Sequence, residues 1–187
     1  MVGEPPVPTL PTVLDPMALP NEQDHLSLAW RLVTGKRLVV LGRAGPLAAL
    51  TLPASSQAEF ESRCSGLADL LNNFTTAVAA DKRTNTPRTP SLKGLREELQ
   101  NRLGDNAGRA EAAVKVLQDI VRVRVGQQHR GADVDAQKAR NALRLDSYGA
   151  DWSGAWDRVR SEAAQALTTI REEISQDTDD LQAPTSS

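Results

Sequence analysis

The sequence predicts a mainly α-helical protein, a helical bundle of about five helices with a small N-terminal β-hairpin. Three observations carry that expectation. Apolar residues recur three and four positions apart through most of the chain, as in Phe60, Cys64, Leu67, Leu71 and Phe74. Aromatic residues are only 3% of the chain, so Ala, Leu and Val must do the packing. Glycines, prolines and capping residues punctuate the periodic stretches where helices would start and stop.

Residues 1–20 hold Pro5, Pro6, Pro8, Pro11, Pro16 and Pro20. Proline lacks a backbone donor and has a fixed φ, so this arm is expected to be extended or disordered. Asn21 then reads as an N-cap, with Leu26, Ala29, Trp30 and Val33 at helical spacing and Gly35 to close the helix. In "KRLVVLGRAGPLAALTLPA" two short apolar runs flank a Gly- and Pro-containing turn, which predicts the hairpin at about 36–52. A capping box from Ser56 to Glu59 opens the next, long helix. After the polar break "DKRTNTPRTP", Ser91 caps a shorter helix with Leu92, Leu95 and Leu99, closed by Gly104. Asn106 starts another, with Ala110, Val114, Leu117 and Val121 on one face, running into Gly126. A short helix is expected around 136–143. A last long one carries Trp152, Trp156, Val159, Ala163, Leu167, Ile170 and Ile174. The domain so defined spans 21–175, and residues 176–187 form an acidic, polar tail expected to be loose.

Composition narrows the function classes. A length of 187 residues fits one domain with a core of its own. The net charge of −2 carries no global nucleic-acid signal. The charge is uneven, however. Residues 81–130 hold 11 Lys/Arg against 6 Asp/Glu, and residues 131–187 hold 6 against 11. The basic middle is either a solvated helix face or a local anion site. The lone Cys64 excludes an internal disulfide and lies on an apolar helix face, as a buried inert thiol would. The start has no basic region followed by an apolar core, and no apolar run nears the ~20 residues of a membrane span. The expected location is therefore cytoplasmic. One cysteine and two histidines offer no metal cluster, and no cofactor is expected.

The stretch with chemical character is "VRVRVGQQHRG", residues 121 to 131. Arg122 and Arg124 stand just before His129. Histidine exchanges protons near neutral pH, and arginine presents a fixed fork of donors to phosphate. Together they suit metal-independent cleavage of an RNA phosphodiester. Gln127 and Gln128 could add hydrogen bonds, Arg130 could hold the RNA backbone, and Asp133 could orient the imidazole. A helix running through the motif would put Arg122 and His129, seven apart, on one face. A helix ending at Gly126 would let either arginine approach. The competing reading is a helix C-terminus capped by cationic side chains. His25 lacks basic neighbours and reads as a surface residue. Trp30, Trp152 and Trp156 read as core or interface anchors.

Roughly Ser56 to Ile174, and above all "RVGQQH" and "RVRVGQQH", resembles the HEPN domains (higher eukaryotes and prokaryotes nucleotide-binding). These are small helical bundles with an Arg, four to six variable residues and then His near a helix end. The resemblance implies an endoribonuclease whose catalytic residues are Arg124 or Arg122 with His129. Gln128, Arg130 and Asp133 would serve as substrate-binding residues. It also implies a composite site across a homodimer, and a role in bacterial toxin–antitoxin or defence systems with an antitoxin-like partner. The departure from the family is Val123 or Val125 directly after the arginine, where a polar residue is common. The alternative is a non-catalytic helical interaction or regulatory subunit of a defence or plasmid-borne operon. Its basic middle and acidic end would then serve as assembly surfaces.

Overall fold

A computed structural model describes residues 15–36, 38, 49–74, 91–128 and 134–182. They form a mainly helical bundle. Among the described residues there are six α-helices: α1 Ala18–Thr34, α2 Gln57–Leu71, α3 Ser91–Leu103, α4 Gly108–Gln128, α5 Val134–Ala142 and α6 Trp152–Gln182. Short 3-10 turns precede α4, at Gly104–Ala107, and α6, at Leu145–Tyr148. The arm up to residue 14 lies outside the described residues.

Two helices organise the rest. α4 packs against α2, α3, α5 and α6, and α6 packs against α1, α2 and α4. The shared core contains Leu26 and Trp30 of α1, Phe60, Leu67 and Leu71 of α2, and Leu95 and Leu99 of α3. From α4 come Val114, Leu117 and Ile120, and from α6 Trp156, Leu167, Ile170 and Ile174. Every member of the predicted stripe from Phe60 to Phe74 is buried. Trp30 and Trp156 are core residues, and Trp152 packs on Phe60 with ring centroids 5.7 Å apart. His25 is exposed, as expected, 3.4 Å from Glu22.

Ion pairs stitch the helices at their margins. Arg171 of α6 meets Glu22 of α1 at 3.2 Å, Arg109 of α4 meets Glu173 of α6 at 2.8 Å, and Arg96 of α3 meets Glu111 of α4 at 3.1 Å. Gln23 is a cost to the core: it is buried, and neither amide atom has a hydrogen-bond partner among the described residues.

Several boundaries differ from the sequence expectation, each for a local reason. α1 begins at Ala18 rather than after Asn21, because Pro20 sits in the first turn, where a missing N–H costs nothing. It closes as expected on Gly35, whose φ of +71° suits glycine, with its N–H bonded to Arg31 O at 2.9 Å. In the capping box, Ser56 Oγ accepts from the Glu59 N–H at 3.3 Å, but the Glu59 carboxylate reaches back one residue further, to the Ser55 N–H at 2.7 Å. Ser91 is inside α3 rather than capping it. Its hydroxyl lies 2.9 Å from the carbonyls of both Leu71 and Phe74, and so ties α3 to the end of α2. α4 starts at Gly108 rather than Asn106, because the 3-10 turn occupies the intervening residues.

Most of the hairpin expected at 36–52 lies outside the described residues. Its final part is not strand: Ala49 and Leu50 are helical, and Thr51 and Leu52 form a turn. Leu50 is fully buried there. The turn's carbonyls are taken up by α6: Trp156 donates its indole N–H to Leu52 O at 3.0 Å and Arg160 donates to Thr51 O at 3.3 Å. With partners from a helix, these groups need no neighbouring strand. α6 starts on Asp151, whose carboxylate accepts from the Gly154 N–H at 2.9 Å. A Cβ at Gly154 would lie 2.3 Å from that carboxylate. The helix then runs to Gln182, into the segment expected to be a loose tail. The sequence offers no breaker before Pro184, and polar residues alone do not stop a helix already anchored by Ile174.

Candidate functional site

The candidate site is built on the C-terminal half of α4. Gly126 does not end the helix, which continues to Gln128. The apolar face of Leu117, Ile120 and Val123 is buried in the bundle, and it holds the helix through the motif. Arg122 and Arg124, two residues apart, therefore leave α4 about 200° apart, on nearly opposite sides.

Arg124 turns toward α2. Its Nη1 donates to Asp69 Oδ1 at 2.6 Å, its side chain is only 26% exposed, and its buried Nε has no partner among the described residues. Arg122 turns outward and is about half exposed. Its Nη1 donates to Asp119 Oδ1 at 2.9 Å. Lys115 donates to the same carboxylate, with Nζ 2.8 Å from Oδ1 and 2.6 Å from Oδ2. Asp119 is 5% exposed, a depth at which a carboxylate is stable only when paired. Two cations satisfy it.

The structure thus separates the two predicted arginines and joins one of them to two residues that sequence reading passed over. Lys115 and Asp119 had a signal: Lys115, Arg122 and His129 stand seven apart, and Asp119 lies four after the first and three before the second. For Gln128 the structure gives the helical backbone that ends α4. His129, Arg130 and Asp133 lie outside the described residues.

Other features do not compete. A depression of about 450 Å³ between α3 and α4 is lined by Lys93, Arg96, Glu97, Gln100, Asn101 and Glu111, charges of both signs that pair with one another. Cys64 is buried, and burial pushes its thiol up to about 12, so it is no nucleophile. Among the described residues no group of His, Cys, Asp and Glu could hold a metal ion, and no helix is long and apolar enough to cross a membrane.

The chain matches no family model, no curated protein and no solved structure.

Proposed function

We propose that this chain is a metal-independent endoribonuclease of the HEPN kind, acting in the cytoplasm of a bacterium within a toxin–antitoxin or other defence system. Arg122 is the phosphate-binding arginine and His129 the proton-transfer residue. One observation carries the choice of arginine: α4 stays helical past Gly126, with Arg122 on its outer edge and Arg124 drawn back against α2. In this reading the RNA 2′-OH attacks the adjacent phosphorus as a base removes its proton. The 5′-oxygen leaves with a proton, and the guanidinium offsets the negative charge that builds on the phosphoryl oxygens. The products are a 2′,3′-cyclic phosphate and a 5′-hydroxyl. A homodimer supplies the second proton-transfer group from the other copy's motif, and a partner protein holds the enzyme in check.

The test is incubation of the purified chain, freed of partners, with end-labelled RNA in EDTA. Wild type cuts, His129→Ala loses about 10²–10⁴ in rate, and Arg122→Ala loses far more than Arg124→Ala. Light scattering should give a dimer at micromolar concentration. A wild type that cuts no RNA, or a His129→Ala variant that cuts as well, ends the enzyme reading.

A second reading has its own support. Both Arg122 and Arg124 already face carboxylates, and α1 exposes Leu28 and Leu32 one turn apart. A non-catalytic interaction subunit of a defence or plasmid-borne operon accounts for both features, and it predicts no cleavage under any of these conditions.

A further inference from the structure

Lys115, Asp119 and Arg122 share an arc of about 60° on one side of α4. The carboxylate is buried, whereas the two cationic side chains are 59% and 45% exposed. Both donate to the same oxygen, Asp119 Oδ1, so two positive groups converge where like charges would otherwise repel. The trio carries one uncompensated positive charge. Among the described residues, the remaining guanidinium donors of Arg122 have no partner. An ammonium and a guanidinium, fixed side by side with donors facing water, match the oxygens of a phosphate.

We infer that Lys115 and Arg122, held together by Asp119, form a phosphate-binding subsite for single-stranded nucleic acid along the outer edge of α4. The assignment rests on the ribonuclease reading for the position of the cut, which that reading puts beside Arg122. It extends that reading by giving the substrate a second point of attachment one heptad upstream of Arg122. Lys115 holds substrate and does not act on the reacting atoms. The two cationic side chains stand largely exposed on one side of α4, so the ligand is a phosphate carried on an extended chain, and free phosphate lacks the further contacts that hold the chain down. Sequence is not read here, since neither group selects among bases.

The experiment measures binding without chemistry. The full chain is titrated against a fluorescein-labelled single-stranded 2′-deoxy oligonucleotide, which lacks the attacking hydroxyl, at several salt concentrations. For single strands each phosphate contact contributes about 0.7 to the slope of log affinity against log salt. Lys115→Gln and Arg122→Gln should each lower that slope by about this amount and weaken binding several-fold at low salt. Lys115→Arg should restore it, and Arg124→Gln should leave it unchanged. Each single variant leaves Asp119 one cationic partner, and a melting curve like that of wild type shows that the fold survives. Inorganic phosphate should compete only as well as other salts of equal ionic strength. A folded Lys115→Gln variant with the wild-type slope overturns the subsite, as does a wild type that binds no oligonucleotide. RNA cleavage with an unchanged Lys115→Gln slope removes the subsite and leaves the enzyme reading. A lost slope without any cleavage does the reverse.

Discussion

Trp156 donates its indole N–H to the carbonyl of Leu52 across 3.0 Å, although 104 residues separate them in sequence. Arg160, one turn further along α6, donates to the neighbouring Thr51 carbonyl and also pairs with Asp157. Its guanidinium lies 6.0 Å from the centre of the Trp156 ring. The turn at Thr51 and Leu52 is therefore held by one indole and one buried guanidinium. Trp156→Phe keeps most of the ring volume and leaves the Leu52 carbonyl without that donor, so it should destabilise by roughly 1–3 kcal/mol. Trp156→Ala should cost about 3–5 kcal/mol. Urea unfolding measures both, and a Trp156→Phe midpoint equal to wild type would mean that the hydrogen bond does not hold the turn.

Gln23 should be improvable. Its amide is buried and unpartnered among the described residues, so its desolvation is uncompensated. Gln23→Met has a similar shape without the polar atoms and should stabilise the protein by about 1–3 kcal/mol. A lower melting temperature for this variant would show that the amide is satisfied in solution.

The ion pair between Arg124 and Asp69 should contribute little. Asp69 is 62% exposed, so water screens the pair despite its short 2.6 Å contact. A double-mutant cycle with Arg124→Ala and Asp69→Ala should give a coupling below about 1 kcal/mol. A coupling several times larger would make the pair a structural requirement of the bundle.

Glu22 should matter in acid. Burial pushes its carboxyl up, but the Thr168 hydroxyl, His25 and the charge of Arg171 outweigh this and hold it below the ordinary 4.5. A carboxyl lowered by folding stabilises the protein above its unfolded value, and that contribution disappears as pH falls through the folded value. The stability gap between wild type and Glu22→Gln should therefore be constant at neutral pH and close below about pH 4.5. A gap that widens with acid would reverse the sign of this argument.

Cys64 should report on opening of the bundle. Its thiol, buried and raised to about 12, should resist an aromatic disulfide reagent at pH 8 in the native protein and react fully in denaturant. Rapid native labelling would place Cys64 at the surface.

Helical periodicity made most of the fold legible. Leu67 and Leu71, or Leu167 and Ile170, announce a buried stripe because spacing on a helix is a local property. The missed features depend on long-range partners. Nothing near Leu50 in sequence says that Trp156 and Arg160 will take up the carbonyls beside it, so a run of apolar residues ending in a helical turn reads as strand. Gly126 misled in the opposite direction. It weakens a helix by only about 1 kcal/mol, less than the burial of Val123 and Ile120, about one and two turns earlier, supplies. The candidate site was half legible. Residue type and spacing pointed to Arg122 and Arg124, but only the direction in which each leaves the helix separates them. The role of Asp119 appears only once its burial is known.

The packing of α6 on α1 also sets a condition on biosynthesis. Leu26 and Trp30 emerge from the ribosome early, yet the helix that covers them is the last of the described elements to be made. The Thr51 and Leu52 carbonyls likewise wait for Trp156 and Arg160. A nascent chain paused before Ile174 carries its N-terminal core residues uncovered, a natural substrate for chaperones and proteases. A premature stop anywhere ahead of that point should yield no stable fragment, and the cell would see either the whole bundle or none of it.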